Sequence, residues 1–145
     1  MLFGQFEHSL DEKGRLVIPS KLKAELKNVS TLYVLQGFEG CMSIYAPEHF
    51  EKLVESLQGY SYLNKEARNY VRLTLASVVE LSVDKVGRVL ISPQTLAKYS
   101  IKKNVMVIGV NDHIEVWDKE AYLKYEKENL SSFDENADKL VKSHE

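Results

Sequence analysis

Ser9-Leu10-Asp11-Glu12-Lys13-Gly14-Arg15-Leu16-Val17-Ile18 and Ser82-Val83-Asp84-Lys85-Val86-Gly87-Arg88-Val89-Leu90-Ile91 are two versions of one ten-residue phrase. They align without a gap at an offset of 73, and the serine, aspartate, glycine, arginine and closing isoleucine are identical. One inserted residue then brings Pro19 onto Pro93 and Leu22 onto Leu96; further on, Gly37 matches Gly109 and Ile44-Tyr45 matches Val116-Trp117. The chain therefore contains two copies of a unit of roughly 45 residues, and a repeat decides the fold because both copies must be given the same elements.

Within each copy the order of elements is readable. Glu7–Leu10 and Arg15–Ile18 are short β-prone runs around Asp11-Glu12-Lys13-Gly14; Glu80–Val83 and Arg88–Ile91 flank Asp84-Lys85-Val86-Gly87 in the same way. Glycine supplies the positive φ a tight hairpin needs, and the aspartate accepts a backbone N–H across the turn. A short helix follows. Ser92-Pro93 is a side-chain acceptor followed by proline at the first helical position, and Pro19-Ser20 is a looser equivalent. Two more strands complete each copy: Leu32–Leu35 with Ser43–Tyr45, and Val105–Val110 with Ile114–Trp117. Between the copies, Pro47–Leu57 and Asn64–Val79 read as helices, the second with Ala67, Tyr70, Val71, Thr74, Leu75 and Val78 at three-to-four spacing. Asp118 is an N-cap for a charged helix to about Asn129, and Ser131–Glu145 is expected as a second short helix or a frayed end.

The chain has 145 residues, 44% of them hydrophobic, with 19 Lys+Arg against 21 Asp+Glu. That length suits one compact domain or two small interlocked halves, since domains run to about 100–200 residues. Cys41 is the only cysteine, which excludes a disulfide framework. The opening Met1-Leu2-Phe3-Gly4-Gln5-Phe6-Glu7 lacks a basic n-region, and no apolar run is long enough for a membrane span, so a reducing cytoplasm is expected. From Asp118 onward there are 8 acids and 5 bases, which leaves the body about neutral. Any nucleic-acid binding must then come from locally concentrated bases or from many copies acting together.

Turn chemistry alone accounts for Asp11, Gly14, Asp84 and Gly87. It does not account for Arg15 and Arg88, each following the glycine, nor for Lys13 and Lys85 within the turns. A neighbouring carboxylate can hold a guanidinium in one orientation. A hairpin tip is about the width of a two-stranded ribbon, which the major groove of DNA admits. Arginine offers a fork for the O6/N7 edge of guanine, and lysine suits a phosphate.

These residues resemble the MraZ family of bacterial transcriptional regulators, built from two AbrB/SpoVT-type repeats in tandem. The match spans about residues 1–120 and rests on Asp11…Arg15 and Asp84…Arg88, the family's D-x-x-x-R signature in both copies, with Phe3-Gly4, Ile18-Pro19 and Ile91-Ser92-Pro93 in support. The resemblance implies an α+β protein whose two internal repeats interlock as a swapped-hairpin AbrB-like β-barrel with flanking helices. It divides the chain into a first repeat at 5–47, inter-repeat helices at 48–75, a second repeat at 76–119 and a charged helical tail at 120–145, both repeats being fused in one structural domain. It also implies a ring-shaped homo-oligomer, located in the cytoplasm at the nucleoid. That oligomer would bind short G-containing direct repeats in double-stranded DNA upstream of the division and cell-wall gene cluster, including its own promoter. On this reading Arg15 and Arg88 grip DNA, Asp11 and Asp84 orient them, and Lys13 and Lys85 contact phosphate. Val86 replaces a charged residue in the second turn, which makes that tip the less basic one.

No catalytic residues, metal site, cofactor, membrane partner or small-molecule substrate is expected. His8, His49, His113 and His144 have no ligand spacing. Gly37-Phe38-Glu39-Gly40 is too short for a phosphate loop and reads as a turn. Tyr60-Ser61-Tyr62 suits helix packing or a subunit interface better than stacking on bases or phospholipid headgroups. Lys21, Lys23 and Lys27 stripe the first short helix and admit two readings, phosphate contact and a solvated face. The rival functions are an AbrB-like antitoxin, which would need a disordered apolar tail to wrap a toxin, and a ring-shaped interaction scaffold.

Overall fold

A computed structural model describes residues 1–26 and 29–143; Lys27 and His144 lie outside the described residues. The chain is α+β. The first copy runs β1 (Leu2–Ser9), β2 (Arg15–Val17), α1 (Ser20–Leu26), β3 (Thr31–Gln36) and β4 (Met42–Tyr45). Helices α2 (Pro47–Gln58) and α3 (Lys65–Ala76) intervene. The second copy runs β5 (Val79–Ser82), β6 (Arg88–Leu90), α4 (Pro93–Lys98), β7 (Asn104–Asn111) and β8 (Ile114–Asp118), followed by α5 (Lys119–Asn129) and α6 (Phe133–Ser143).

The order of elements matches the repeat element for element, and the pairing between copies is reciprocal. In the six-stranded sheet, ordered β1-β7-β8-β4-β3-β5, every pairing is antiparallel. The first strand of each copy pairs with the third strand of the other: β1 with β7, and β5 with β3. The fourth strands, β4 and β8, pair with each other. The second strands form a separate two-stranded ribbon, β2 with β6. Strands β1 and β5 are the edges of the larger sheet, whose described ladder is open.

One buried cluster draws on both copies. Leu16 and Val89, opposed in the ribbon, are both fully buried and pack with Ile18, Leu22, Ile91 and Val105. Helix starts follow their sequence signals. The side chains of Ser92, Asn64 and Asp118 accept the backbone N–H groups of Thr95, Ala67 and Ala121. Two boundaries differ by three residues or more from those read in the sequence. Strand β1 begins at Leu2 rather than Glu7 because β7 pairs with it along its whole length, from Leu2↔Asn111 to Ser9↔Asn104. Helix α3 stops at Ala76 because Val79–Ser82 is drawn onto β3. The C-terminal stretch is helical: α5 docks through Tyr122 and Tyr125 against Trp117, whereas α6 has no buried residue.

Candidate nucleic-acid interface

Each Asp-x-x-Gly-Arg turn is closed by the same five hydrogen bonds. In the first, Asp11 Oδ1 accepts the N–H groups of Lys13 and Arg15, both at 2.9 Å. Gly14 N–H donates to the Asp11 carbonyl at 3.0 Å, and Asp11 N–H to the Arg15 carbonyl at 3.1 Å. Arg15 Nε donates to Asp11 Oδ2 at 2.5 Å. In the second turn the Val86 and Arg88 amides reach Asp84 Oδ1 at 2.9 Å, and Arg88 Nε reaches Asp84 Oδ2 at 2.8 Å. Gly87 N–H and Asp84 N–H close that loop at 3.0 and 2.9 Å. Gly14 and Gly87 sit at φ +84° and +85°, where an L side chain is strained.

The tips are mounted on each other. Ile91 N–H donates to the Gly14 carbonyl at 3.0 Å, and Ile18 N–H donates to the Gly87 carbonyl at 3.1 Å. Each turn is thus fixed by the other copy, which makes a rigid mount for a long cationic side chain.

The arginines share one face. The ribbon register is Arg15↔Leu90, Leu16↔Val89, Val17↔Arg88. Side chains alternate along a strand, so Leu16 and Val89 point to the core while Arg15, Val17, Arg88 and Leu90 face outward. Both arginine side chains are 31% exposed and both partner aspartates 37%. Nε is the engaged donor in each pair, which leaves the two Nη groups at the outer end. The Arg15 amide first, and then its guanidinium and the Lys13 amide, hold the Asp11 carboxyl below the ordinary aspartate range against an opposing effect of burial. Asp84 is lowered in the same way by Arg88 and Val86. Both carboxylates are therefore ionised at neutral pH and keep the guanidinium planes aligned.

Lys13 and Lys85 are exposed, but the 73-residue offset pairs Lys13 with Val86 and Glu12 with Lys85, so the two lysines occupy neighbouring turn positions rather than equivalent ones. Nor is the second tip the less basic one: Asp84, Lys85 and Arg88 leave that turn one positive charge ahead of the first, where Glu12 offsets Lys13. Lys23 reaches across from α1, its Nζ donating to the Val86 carbonyl at 3.4 Å, and so restores a cation beside Val86. At the first tip, Lys102 and Lys103 line the same shallow depression as Asp11 and Lys13. Lys21 is exposed on α1. The other candidates are elsewhere: His113 Nδ1 lies 2.7 Å from Asp112 and stacks on Tyr45, and Cys41 is buried, its thiol pushed up by desolvation. Among the described residues no three of His, Cys, Asp and Glu converge as a metal site, and no helix is long and apolar enough to cross a membrane.

The family model for "MraZ protein, putative antitoxin-like" matches residues 1–73 and 75–143. This chain belongs to the MraZ family. Curated relatives named transcriptional regulator MraZ include one from Lactiplantibacillus plantarum, 39% identical over 142 residues, covering 97% of this chain and 99% of the relative. Others are from Caldanaerobacter subterraneus, at 38% identity, and Mesoplasma florum, at 37%, each over 140 residues, 97% of this chain and at least 95% of the relative. The break in the MraZ match falls in α3, between the copies. Sequence reasoning offered Lys23 as a phosphate contact or a solvated residue but did not place it at the second tip, because α1 meets that turn only through the fold. Val17 and Leu90 were missed, although period-two alternation from Arg15 and Arg88 marks them.

Proposed function

We propose that this chain is a non-enzymatic, sequence-specific DNA-binding transcriptional regulator that holds double-stranded DNA with its two Asp-x-x-Gly-Arg tips. One observation carries the reading: two carboxylate-braced arginines stand on a single outward face of a two-stranded ribbon. A ribbon of that kind fits the major groove, and an arginine fork suits guanine. Arg15 and Arg88 read bases, Asp11 and Asp84 aim them, and Lys13 and Lys85, joined by Lys23, meet phosphates. The names of the relatives support transcriptional regulation.

The swapped-hairpin barrel, with repeats at 5–47 and 76–119 fused in one domain, belongs to the same reading. The reciprocal pairing of β1 with β7 and β5 with β3, and the core cluster shared by both copies, support it. A ring-shaped homo-oligomer acting on G-containing direct repeats near its own gene and the division and cell-wall cluster, in the cytoplasm at the nucleoid, is part of the same proposal. A nearly neutral subunit has little affinity for one site. Several tips on one assembly make later contacts intramolecular, and avidity gains roughly 10²–10⁴. Gel shift of the full chain on its upstream DNA tests the reading: Arg15→Ala removes the specific shift while particle size by light scattering is unchanged. A normal shift from that variant, or equal affinity for one and four repeats, overturns it.

The family description favours one rival, an antitoxin, in which the exposed apolar face of α6 would dock a toxin. In that case deletion of α6, and not Arg15→Ala, abolishes toxin neutralisation on co-expression.

A further inference from the structure

The outward face of the ribbon is not purely cationic. Val17 is 46% exposed and Leu90 58% exposed, and each stands directly across the ladder from an arginine. Exposed aliphatics in strands are ordinary when scattered. Here they complete a four-residue checkerboard in which the two cations occupy one diagonal and the two aliphatics the other.

We infer that Val17 and Leu90 are specificity-determining positions that recognise the C5 methyl of thymine beside the guanines held by Arg88 and Arg15. This rests on the DNA-binding reading above and adds to it the second base of the recognised word. The physical case has three parts. Thymine alone presents a methyl group in the major groove, and an apolar side chain is its natural contact. Burial of the Leu16 and Val89 side chains on the inner face holds the ribbon at a fixed height, so the outer four side chains approach a groove floor together. Directly opposed residues in an antiparallel ribbon have Cβ atoms about 4.5–5.5 Å apart, which is between one and two base steps at ~3.4 Å each. The thymine therefore lies within two base pairs of the guanine bound by the opposed arginine. The aliphatics also work against the wrong base, because a cytosine amino group left against Val17 or Leu90 loses its hydrogen bond to water without replacement.

The test uses the full-length oligomer and the tightest duplex it selects from a randomised pool. Each thymine is replaced singly by deoxyuridine, which removes the methyl and keeps Watson–Crick pairing. Wild-type protein should lose about fourfold in affinity at one or two thymines within two base pairs of a guanine, the worth of one buried methyl-sized group. Val17→Ser and Leu90→Ser, at positions outside the core, should each abolish the sensitivity at one of those thymines while leaving guanine dependence intact. Circular dichroism and light scattering check that these variants stay folded and assembled. Deoxyuridine that is neutral at every position, or a methyl sensitivity that survives both serine variants, overturns the inference while Arg15-dependent binding stands. Selection of no duplex at all, or Arg15→Ala binding as well as wild type, overturns the DNA-binding reading itself.

Discussion

The two hairpin tips have the same backbone and different neighbours. Their hydrogen bonds agree to within a few tenths of an ångström, and their glycines differ by one degree in φ. The first tip has its cation, Lys13, within the turn and lies near Lys102 and Lys103. The second has Val86 at that place, carries its own turn lysine, Lys85, where the first has Glu12, and borrows Lys23 from α1 of the other copy. Duplication preserved what a turn needs for its own closure, which is local and demanding. The surrounding charge, which many positions can supply, differs: the second turn has Lys85 in place of Glu12, and a lysine from a neighbouring helix beside Val86 in place of Lys13.

The largest effect should come from the arginines. If the tips are equivalent readers, Arg15→Ala and Arg88→Ala each weaken specific binding by at least about fivefold per tip, since a bidentate base contact is worth about 1–3 kcal/mol. Affinities within threefold of each other in fluorescence anisotropy would support equivalence, and a near-normal Arg88→Ala would break it.

Next come the glycines, where the tips should part. A Cβ added at Gly14 lies 2.7 Å from the Ile91 carbonyl oxygen, which is backbone; at Gly87 it meets the Lys23 Nζ at 2.6 Å, a flexible end that can swing away. Both replacements carry the left-handed penalty of about 1–2 kcal/mol. Gly14→Ala should cost about another 1–3 kcal/mol because its clash is with fixed atoms. Urea unfolding of the two variants measures the difference, and equal midpoints would remove the contrast.

Smaller still are the lysines. Lys13→Ala at the first tip and Lys23→Ala at the second should each lower the slope of log affinity against log salt by about 0.9 for every tip engaged, with sequence preference unchanged. An effect of Lys13 alone would show that Lys23 braces the Val86 carbonyl and does not reach DNA.

The smallest effect is in pH. Asp11 and Asp84 titrate below the ordinary aspartate value of 3.8, so their contribution to the fold is complete above that value and is lost as pH falls through the lower native one. Carboxyl carbon shifts in NMR should show both mostly ionised at pH 3.8, where an ordinary aspartate is half protonated, and the two midpoints should coincide.

The sequence by itself determined the duplication, the turns and the identity of the side chains proposed as readers. These depend on local chemistry: an aspartate two and four residues from the amides it caps, a glycine where φ must be positive, and a serine or asparagine at a helix start. Such rules act over a few residues and leave a direct mark in the letters. Tertiary structure alone decided that β1 belongs with β7 and β5 with β3, that β2 lies on β6, and hence that Arg15 and Arg88 look the same way. It also brought Lys23 to the second tip and turned Val17 and Leu90 outward together. Those outcomes depend on which strand edge meets which, a choice settled by burying Leu16, Val89 and their neighbours in one shared core. Apolar side chains record that they are to be buried, but not against whom.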